Sequence, residues 1–252
     1  MNKSLIENNI SEKLISLKLS NMANAFKLQS TNPNSITLDF NTRFDALLNA
    51  EIDERSSKKI KYLIQKSNMR LNASMERIDY TIDRGLNQGQ MNSLSSCSWI
   101  DNGHNIILTG ATGTGKSYIA CALGNKACEN KYLVTYYRLP RLLNDLKISK
   151  DNGTYNKFLK QLKRSNVLIL DDFALARLSI AESRDLLEVI DDRNKNSSCI
   201  FASQIPSEKW YETFEDPTFA DAIMDRIIHN AYKIALKGPS MRKITSSIEQ
   251  NK

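Results

Sequence analysis

Residues 110–117 read Gly-Ala-Thr-Gly-Thr-Gly-Lys-Ser, and residues 105–109, directly before them, read Asn-Ile-Ile-Leu-Thr. The octapeptide fits the GxxxxGK[ST] pattern of a phosphate-binding loop, and it lies between a strand-like and a helix-like segment, as that loop requires. Its three glycines let the backbone curl so that N–H groups point at phosphate oxygens, while the following helix contributes the positive end of its dipole. The stretch predicts a nucleoside triphosphate site in an α/β fold.

Two side chains of this loop carry specific chemistry. We expect Lys116 to reach the β- and γ-phosphates and Ser117 to coordinate Mg²⁺. The alternative is a glycine turn with an incidental lysine, which the flanking strand and helix make a poor explanation. The residues predicted to bind the nucleotide are Gly110, Ala111, Thr112, Gly113, Thr114, Gly115, Lys116, Ser117 and Tyr118.

Composition narrows the class of protein. The chain has 252 residues, which suffices for one α/β core plus a smaller appendage. Its 35 basic and 28 acidic residues give a net charge of +7, which favours a polyanionic partner without establishing one. The four cysteines lack CxxC spacing and are expected to be buried, reduced thiols. No apolar run is long enough for a membrane span and the start does not fit a signal peptide, so we expect a soluble, cytoplasmic protein.

The hydrophobic pattern divides the chain into three parts. One helix is predicted from about residue 4 to residue 27, and a second helical tract from about 38 to 71. Residues 1–75 are therefore predicted to form a helical N-terminal domain, residues 76–98 a polar linker, and residues 99–252 the nucleotide-binding domain.

In the last part, predicted strands alternate with predicted helices, which indicates a mainly parallel sheet flanked by helices on both faces. The predicted strands after the loop are 132–139, 167–170, 198–203 and 232–236, and the predicted helices are 118–129, 141–150, 155–164, 180–193 and 220–230.

Polar side chains stand where two of these strands end. Asp171 and Asp172 follow four apolar residues, so Asp171 is a candidate Mg²⁺ ligand acting through water and Asp172 a candidate base that orients the attacking water. The alternative is that one of them caps the next segment. Gln204, after the next strand, either holds the lytic water or only terminates the strand. From spacing alone, Arg226 and Arg242 are ordinary surface charges.

Five segments occur in a recognisable order: GATGTGKS at 110–117, LILDDF at 168–173, ASQIP at 202–206 with a tryptophan following, DAIMDRIIHNA at 221–231 and LKGPSMRK at 236–243. Together they resemble the IstB family of AAA+ ATPases, which are bacterial helpers of insertion-sequence transposition related to the DnaC helicase loaders. Upstream, LLNAE at 47–51 with Arg55 is similar to the helical region of that family.

The resemblance implies roles for these side chains. It assigns Lys116 and Ser117 to ATP and Mg²⁺, and it makes Asp171 and Asp172 the Walker B pair. It gives Gln204 the sensor I role.

The resemblance also implies an assembly. Arg226 becomes an arginine finger that enters a neighbouring subunit's site, so hydrolysis would require a homo-oligomer, and Arg242 becomes a sensor II residue. Implied partners are double-stranded DNA and the transposase of the same element. Ala174, Ala202 and Pro239 depart from the family's usual Gly, Thr and Glu, which affects the expected backbone shape rather than the catalytic groups.

Candidate DNA contacts follow from charge. Residues 1–75 hold 11 basic and 7 acidic side chains. On a helical wheel, several of the basic side chains of the second helical tract form a stripe, and apolar side chains lie on the opposite side of the helix. The alternative is a solvated helix face. A second candidate surface lies between the second strand and the Walker B strand. The candidate residues are Arg55, Lys59, Tyr62, Lys66 and Arg70 for the stripe, with Arg138 and Arg141 for the second surface.

Several functions remain open at this point. The leading hypothesis is an ATP-dependent factor that assembles on duplex DNA and presents it to a transposase. A replicative helicase loader would instead prefer single-stranded DNA. A small-molecule kinase would transfer phosphate to an acceptor, and a noncatalytic scaffold would bind ATP without DNA-stimulated turnover.

Overall fold

The computed structural model describes residues 3–242. The predicted domain ends at residues 1 and 252 lie outside the described residues. The helices are α1 Lys3–Ser16, α2 Ser20–Thr31, α3 Pro33–Ile36, α4 Phe40–Ser67, α5 Gln88–Ser95, α6 Ser98–Asp101, α7 Lys116–Glu129, α8 Leu139–Asp151, α9 Tyr155–Lys163, α10 Ile180–Arg193 and α11 Pro217–Ile228. The strands are β1 Asn105–Gly110, β2 Val134–Arg138, β3 Val167–Phe173, β4 Ser198–Ser203 and β5 Ala231–Leu236. Short 3₁₀ helices occupy Met75–Arg77 and Ser207–Thr213.

All five strands form one parallel sheet in the order β2-β3-β4-β1-β5. Along β3, Val167 and Ile169 enter the apolar cluster that contains α7, whereas Leu168 and Leu170 enter the cluster on the other face with α8, α10 and α11. A strand buried on both faces must be apolar throughout, which is why β1, β3 and β4 read as continuous hydrophobic runs. The predicted parallel sheet flanked by helices is confirmed.

The carboxyl edge of this sheet collects the polar residues that follow the apolar runs. The phosphate-binding loop follows β1, and Gln204 follows β4. Strand β3 is longer than predicted, because it includes Asp171 and Asp172 and ends at Phe173 after an irregularity in its pairing with β4. Parallel strands therefore deliver the candidate site residues to one edge.

The first predicted helix is in fact two helices. Lys18 adopts a left-handed conformation with φ of 60°, and its N–H donates to the carbonyl of Ile15 while the N–H of Leu19 donates to that of Leu14. These two bonds are the Schellman arrangement that ends a helix. Glycine usually occupies the left-handed position, and since a lysine stands there, the sequence carries no stop signal at this point.

The segment predicted to be a polar linker, residues 76–98, contains a helix and buried apolar side chains. Helix α5 forms within it, and its apolar side chains, together with Ile78 and Cys97, are buried in the cluster that covers one face of the sheet. Polar residues separate these apolar positions in the sequence and hide their common burial. The chain divides into two compact units at Tyr62 and Leu63, inside α4, rather than near residue 75.

Two further expectations bear on the class of protein. All four cysteines are buried and free, as expected: Cys97, Cys121, Cys128 and Cys199. Within residues 3–242 no helix has the length and apolar character needed to span a membrane.

Candidate nucleotide site

The loop after β1 is shaped by its glycines. Gly110, Gly113 and Gly115 have φ values of 145°, 87° and 102°, where a side chain would be strained. At Gly113 a Cβ atom would also lie 2.1 Å from the hydroxyl oxygen of Ser240. The loop therefore needs glycine both for its turn and for the close approach of the chain segment that follows β5.

Lys116 is the first residue of α7 and points back into the loop. Its Nζ donates to the carbonyls of Gly110 at 2.6 Å and Ala111 at 2.8 Å, and the residue is only 7% exposed. Burial lowers the pKa of Lys116, while the carboxylates of Asp171 and Asp172 act against that shift. The ammonium is thus held among acceptors that phosphate oxygens can replace.

Both oxygens of Asp171 have partners. The buried Tyr136 hydroxyl donates to Oδ2 at 2.7 Å, and the backbone N–H of Asp172 donates to Oδ1 at 2.9 Å. Asp171 itself is 2% exposed. Burial, followed by the bond to Asp171, raises the pKa of Tyr136 above the ordinary tyrosine value. Two donors thus orient this carboxylate, and Tyr136 was missed by sequence reasoning because only the pairing of β2 with β3 brings it there.

Asp172 is bound by Arg138, an arginine that was predicted from the sequence as a DNA contact. The Nε of Arg138 donates to Oδ2 of Asp172 at 2.6 Å. In the sheet, Arg138 is the direct partner of Asp171, so its side chain reaches the Walker B pair. Predicted as a DNA contact, Arg138 lies at the nucleotide site in this structure.

The backbone around Asp172 explains a departure noted in the sequence. Asp172 and Ala174 have φ values of 56° and 57°. The left-handed region costs a non-glycine residue about 1–2 kcal/mol, a strain that a glycine at position 174 would avoid. Ala174 adopts the same turn with that strain.

Gln204 and Arg242 also lie near the loop. The Thr112 hydroxyl donates to the Gln204 side-chain oxygen at 2.7 Å. The N–H of Met241 donates to the Gly113 carbonyl at 2.9 Å, and the adjacent Arg242 is close enough to act electrostatically on Lys116. The structure therefore brings the loop, the Walker B pair, Gln204 and Arg242 together at one edge.

Arg226 lies at the opposite edge. Its backbone carbonyl accepts a bond from the Asn105 side chain at the beginning of β1, whereas the loop begins at Gly110, at the end of that strand. At about 3.3 Å per residue, these positions are separated by about 17 Å. The Arg226 side chain pairs with Asp191 and donates to the Ala222 carbonyl. It takes no part in the nucleotide site of its own chain.

The donor set fits a magnesium ion that is carried by a nucleotide. Ser117 offers a hydroxyl and Asp171 a carboxylate, and the described residues contain no cluster of three or more histidine, cysteine or acidic side chains that would hold a metal alone. Mg²⁺ ordinarily keeps several waters and binds through one or two carboxylates plus substrate phosphates. Ser117 and Asp171 would hold it together with those phosphates.

The residues of the predicted basic stripe are all exposed, and Arg55 also has partners within its own unit. Arg55 donates from Nε to Glu51 at 2.8 Å and from Nη2 to the carbonyl of Lys18 at 3.0 Å. Glu51 also accepts the N–H groups of Asn21 and Met22 in the first turn of α2, so Arg55 holds a carboxylate that satisfies the beginning of that helix. Lys59 and Tyr62 belong to the same unit as Arg55 and are exposed, whereas Lys66 and Arg70 belong to the other unit.

Three further cations, Lys157, Lys160 and Arg164, lie near the predicted Lys66 and were not themselves predicted. A concavity of about 630 Å³ lies beside β2. Four of the side chains that line it are basic, namely Lys66, Lys157, Lys160 and Arg164. Arg141, from the second predicted surface, is exposed and pairs with Asp145 at 3.0 Å. The cations of α9 were missed because the predicted stripe was confined to one helix. The concavity combines side chains from two helices, α4 and α9.

Comparison with known proteins agrees with this geometry. The family model described as IstB-like ATP binding protein matches residues 12–248. A protein of Sinorhizobium fredii, named as an insertion sequence ATP-binding protein, is 38% identical over 232 residues, which cover 92% of this chain and 95% of the relative. The protein named as the ATP-binding protein of insertion sequence IS1162 from Pseudomonas fluorescens is 41% identical over 196 residues, 77% of this chain and 85% of the relative.

Solved structures show the same fold. AMPPCP-bound DnaA from Aquifex aeolicus superposes with a TM-score of 0.55 at 18% identity, over 73% of this chain and 57% of that one. The DnaC helicase loader superposes with a TM-score of 0.52 at 21% identity, over 66% of this chain and 97% of that one. The unit with the phosphate-binding loop is thus an AAA+ P-loop core, as predicted.

Proposed function

The chain belongs to the IstB-like family of ATP-binding proteins, and from this premise we propose that it is an ATP-hydrolysing factor that assembles on double-stranded DNA for a transposase. One observation carries the proposal. The loop, the Walker B pair and Gln204 converge at one edge of the sheet, while Arg226 lies at the other edge. A single subunit therefore holds nearly all of a hydrolytic site and offers its arginine to another.

Each group has a defined task in hydrolysis. Lys116 and the loop N–H groups bind the β- and γ-phosphates. Mg²⁺, when bound, neutralises charge that develops on the phosphates. Asp172 orients the attacking water and accepts its proton, and Gln204 fixes that water from the neighbouring strand.

The component that the proposal takes from a neighbouring subunit is a further arginine, added to the cations that one chain already brings to this edge. Charge spreads over that group in the transition state, and an arginine supplied by a neighbour is worth about 10³-fold or more in rate. Arg226 is partly exposed and paired with Asp191. In the proposed assembly it leaves that partner for the nucleotide of the adjacent subunit, which makes hydrolysis depend on assembly.

The proposed partners follow from charge and from the relatives. A net charge of +7 and the basic concavity beside β2 suit a phosphodiester backbone read without base specificity. The relatives are named as proteins of insertion sequences, which supports a transposase of the same element as the partner. Such a factor works in the bacterial cytoplasm.

The proposal is tested by measuring binding to double- and single-stranded DNA of equal length, with ATP, with ADP and without nucleotide, while light scattering reports assembly size. We expect large complexes that require both ATP and duplex DNA. Absence of any DNA binding would refute the proposal and leave only an ATPase.

The fold likeness to the DnaC helicase loader favours a second candidate, a replicative helicase loader. In the same experiment it predicts a preference for single strands. Phosphate transfer to a small acceptor would instead indicate a kinase, and ATP binding without DNA-stimulated turnover would indicate a scaffold.

The Asp172→Asn variant tests the hydrolytic step. It keeps the shape of the side chain and removes its charge, so we expect normal ATP binding and a trapped assembly on DNA. Normal turnover by this variant would remove Asp172 from the proposed role. Asp145→Asn, which changes an acid paired with Arg141 away from the site, is the matched control.

A further inference from the structure

A buried arginine lies behind the phosphate-binding loop. Arg84 is 5% exposed, in the segment that the sequence suggested was a linker. Its Nη1 donates to the carbonyl of Thr114 in the loop at 3.3 Å, and its Nη2 donates to the carbonyl of Asp79 at 2.6 Å. Its Nε is buried and, among the described residues, has no hydrogen-bond partner.

Close packing fixes Arg84 in this position. A Cβ atom on Gly115 of the loop would lie 3.0 Å from its Nη1. The N–H of Lys237, just after β5, donates to the Arg84 carbonyl at 2.9 Å, and a Cβ atom on Gly238 would lie 2.9 Å from the carbonyl oxygen of Asp83. The arginine is thus clamped between the loop and the segment that leads to Arg242.

The charge of Arg84 lacks a direct partner. Among the described residues no carboxylate forms an ion pair with Arg84. The Asp79 carboxylate lies near enough for the charge of Arg84 to help lower its pKa, but its hydrogen bonds come from Thr81. Burying an unpaired charge is costly, and buried charges in proteins are normally paired. The anion that this loop is built to bind is a polyphosphate.

We propose that Arg84 is a nucleotide-binding residue whose guanidinium provides the counter-charge to the polyphosphate from behind the loop and holds the Thr114 peptide in place. The inference rests on the proposed function only in requiring a nucleotide at this loop. A buried guanidinium is screened by less solvent than one at the surface, so it attracts negative charge more strongly. Each phosphate added to the ligand adds negative charge for it to attract. Its effect on binding therefore grows with the number of phosphates.

This dependence distinguishes a counter-charge from a structural brace. Binding of ATP, ADP, AMP and adenosine is measured by titration calorimetry without Mg²⁺, for the full chain and for Arg84→Met. We expect Arg84→Met to weaken ATP about tenfold or more, to weaken ADP and AMP by successively smaller factors, and to leave adenosine unchanged. Arg77→Met changes an exposed arginine of the same segment and is the control.

A loss of equal size for all four ligands, or no loss for ATP, would overturn the inference. If Arg84→Met does not fold, Arg84→Lys keeps the charge and loses the fork. The inference then requires that the ratio of ATP affinity to AMP affinity in Arg84→Lys stays within about threefold of the ratio in the unchanged chain. A larger fall in that ratio would contradict the inference. Failure of the unchanged chain to bind ATP would instead refute the nucleotide site itself, with Lys116→Ala as the reference for that outcome.

Discussion

The two edges of the parallel sheet have different chemistry. At the carboxyl edge, Lys116, Asp171 and Gln204 meet within one chain, and each has partners that are already in place. At the amino edge, Arg226 is tied to Asp191 and lies about 17 Å along β1 from the loop.

If the proposed roles are correct, nucleotide binding and ATP turnover depend on different edges of the sheet. The groups proposed to hold the nucleotide all belong to the carboxyl edge of one subunit. The arginine that would accelerate hydrolysis belongs to the other edge, where only a second copy can bring it to a nucleotide. Variants at the carboxyl edge should therefore alter binding or orientation within a subunit, whereas variants at the amino edge should leave binding unchanged.

The largest expected effect is that of Lys116→Ala on nucleotide binding. The variant removes a buried ammonium, and each charged hydrogen bond to phosphate contributes about 1.5–3 kcal/mol, so two such bonds correspond to a loss of about 100-fold or more in ATP affinity. Titration calorimetry measures it. Lys126→Ala, on the same helix but paired with Glu129, should bind ATP normally. An ATP affinity of Lys116→Ala within threefold of that of the unchanged chain would contradict the assignment of the nucleotide site to the carboxyl edge.

A smaller effect is expected for Tyr136→Phe. The variant leaves Oδ2 of the buried Asp171 without its side-chain donor, which costs about 1–3 kcal/mol of stability and loosens the orientation of the carboxylate. We expect turnover to fall about tenfold and the Mn²⁺ affinity of the nucleotide complex, read by electron paramagnetic resonance, to fall with it.

The control for Tyr136→Phe is Tyr137→Phe, which changes the next residue of the same strand. Tyr137 packs against Phe158 on the other face of the sheet, so its variant should change neither quantity. Unchanged Mn²⁺ affinity in Tyr136→Phe would reduce its hydroxyl to a structural role.

The smallest effect is expected for Asp191→Asn at the amino edge. The Arg226–Asp191 pair is partly exposed, with 28% and 50% of the two side chains accessible, and such pairs contribute less than about 1 kcal/mol. Urea unfolding should show a change below that value, and ATP affinity should be unchanged. A clear loss of ATP affinity would mean that the two edges are coupled within one subunit.

The parts of this picture that were predicted from the sequence depend on local pattern. The loop at 110–117 and the acids after Leu170 are defined by neighbours in the chain, and the alternation of strands and helices defines the sheet. Tyr136, Arg138 and Arg84 act through strand pairing or through contacts between distant segments, and no local pattern encodes those contacts.

The errors have equally physical causes. A lysine at a left-handed helix end concealed the break between α1 and α2, and polar residues concealed the buried apolar positions at 76–98. Arg55 stays a predicted DNA contact: it is exposed, and it also donates to two acceptors within its own unit that the helical wheel did not indicate. A helical wheel reports the direction of a side chain and not its partners.

Completion of the nucleotide site by Arg226 of a neighbouring subunit is tested by mixing two inactive variants. Asp172→Asn keeps Arg226, and Arg226→Ala keeps Asp172, and both retain the groups that bind ATP. Each alone should hydrolyse ATP about 10³-fold more slowly on duplex DNA. In an equal mixture with random head-to-tail pairing, about a quarter of the interfaces combine an intact Asp172 with an intact Arg226. We predict recovery toward that fraction of the original rate. No recovery at any ratio, with both variants assembling normally, would contradict the claim.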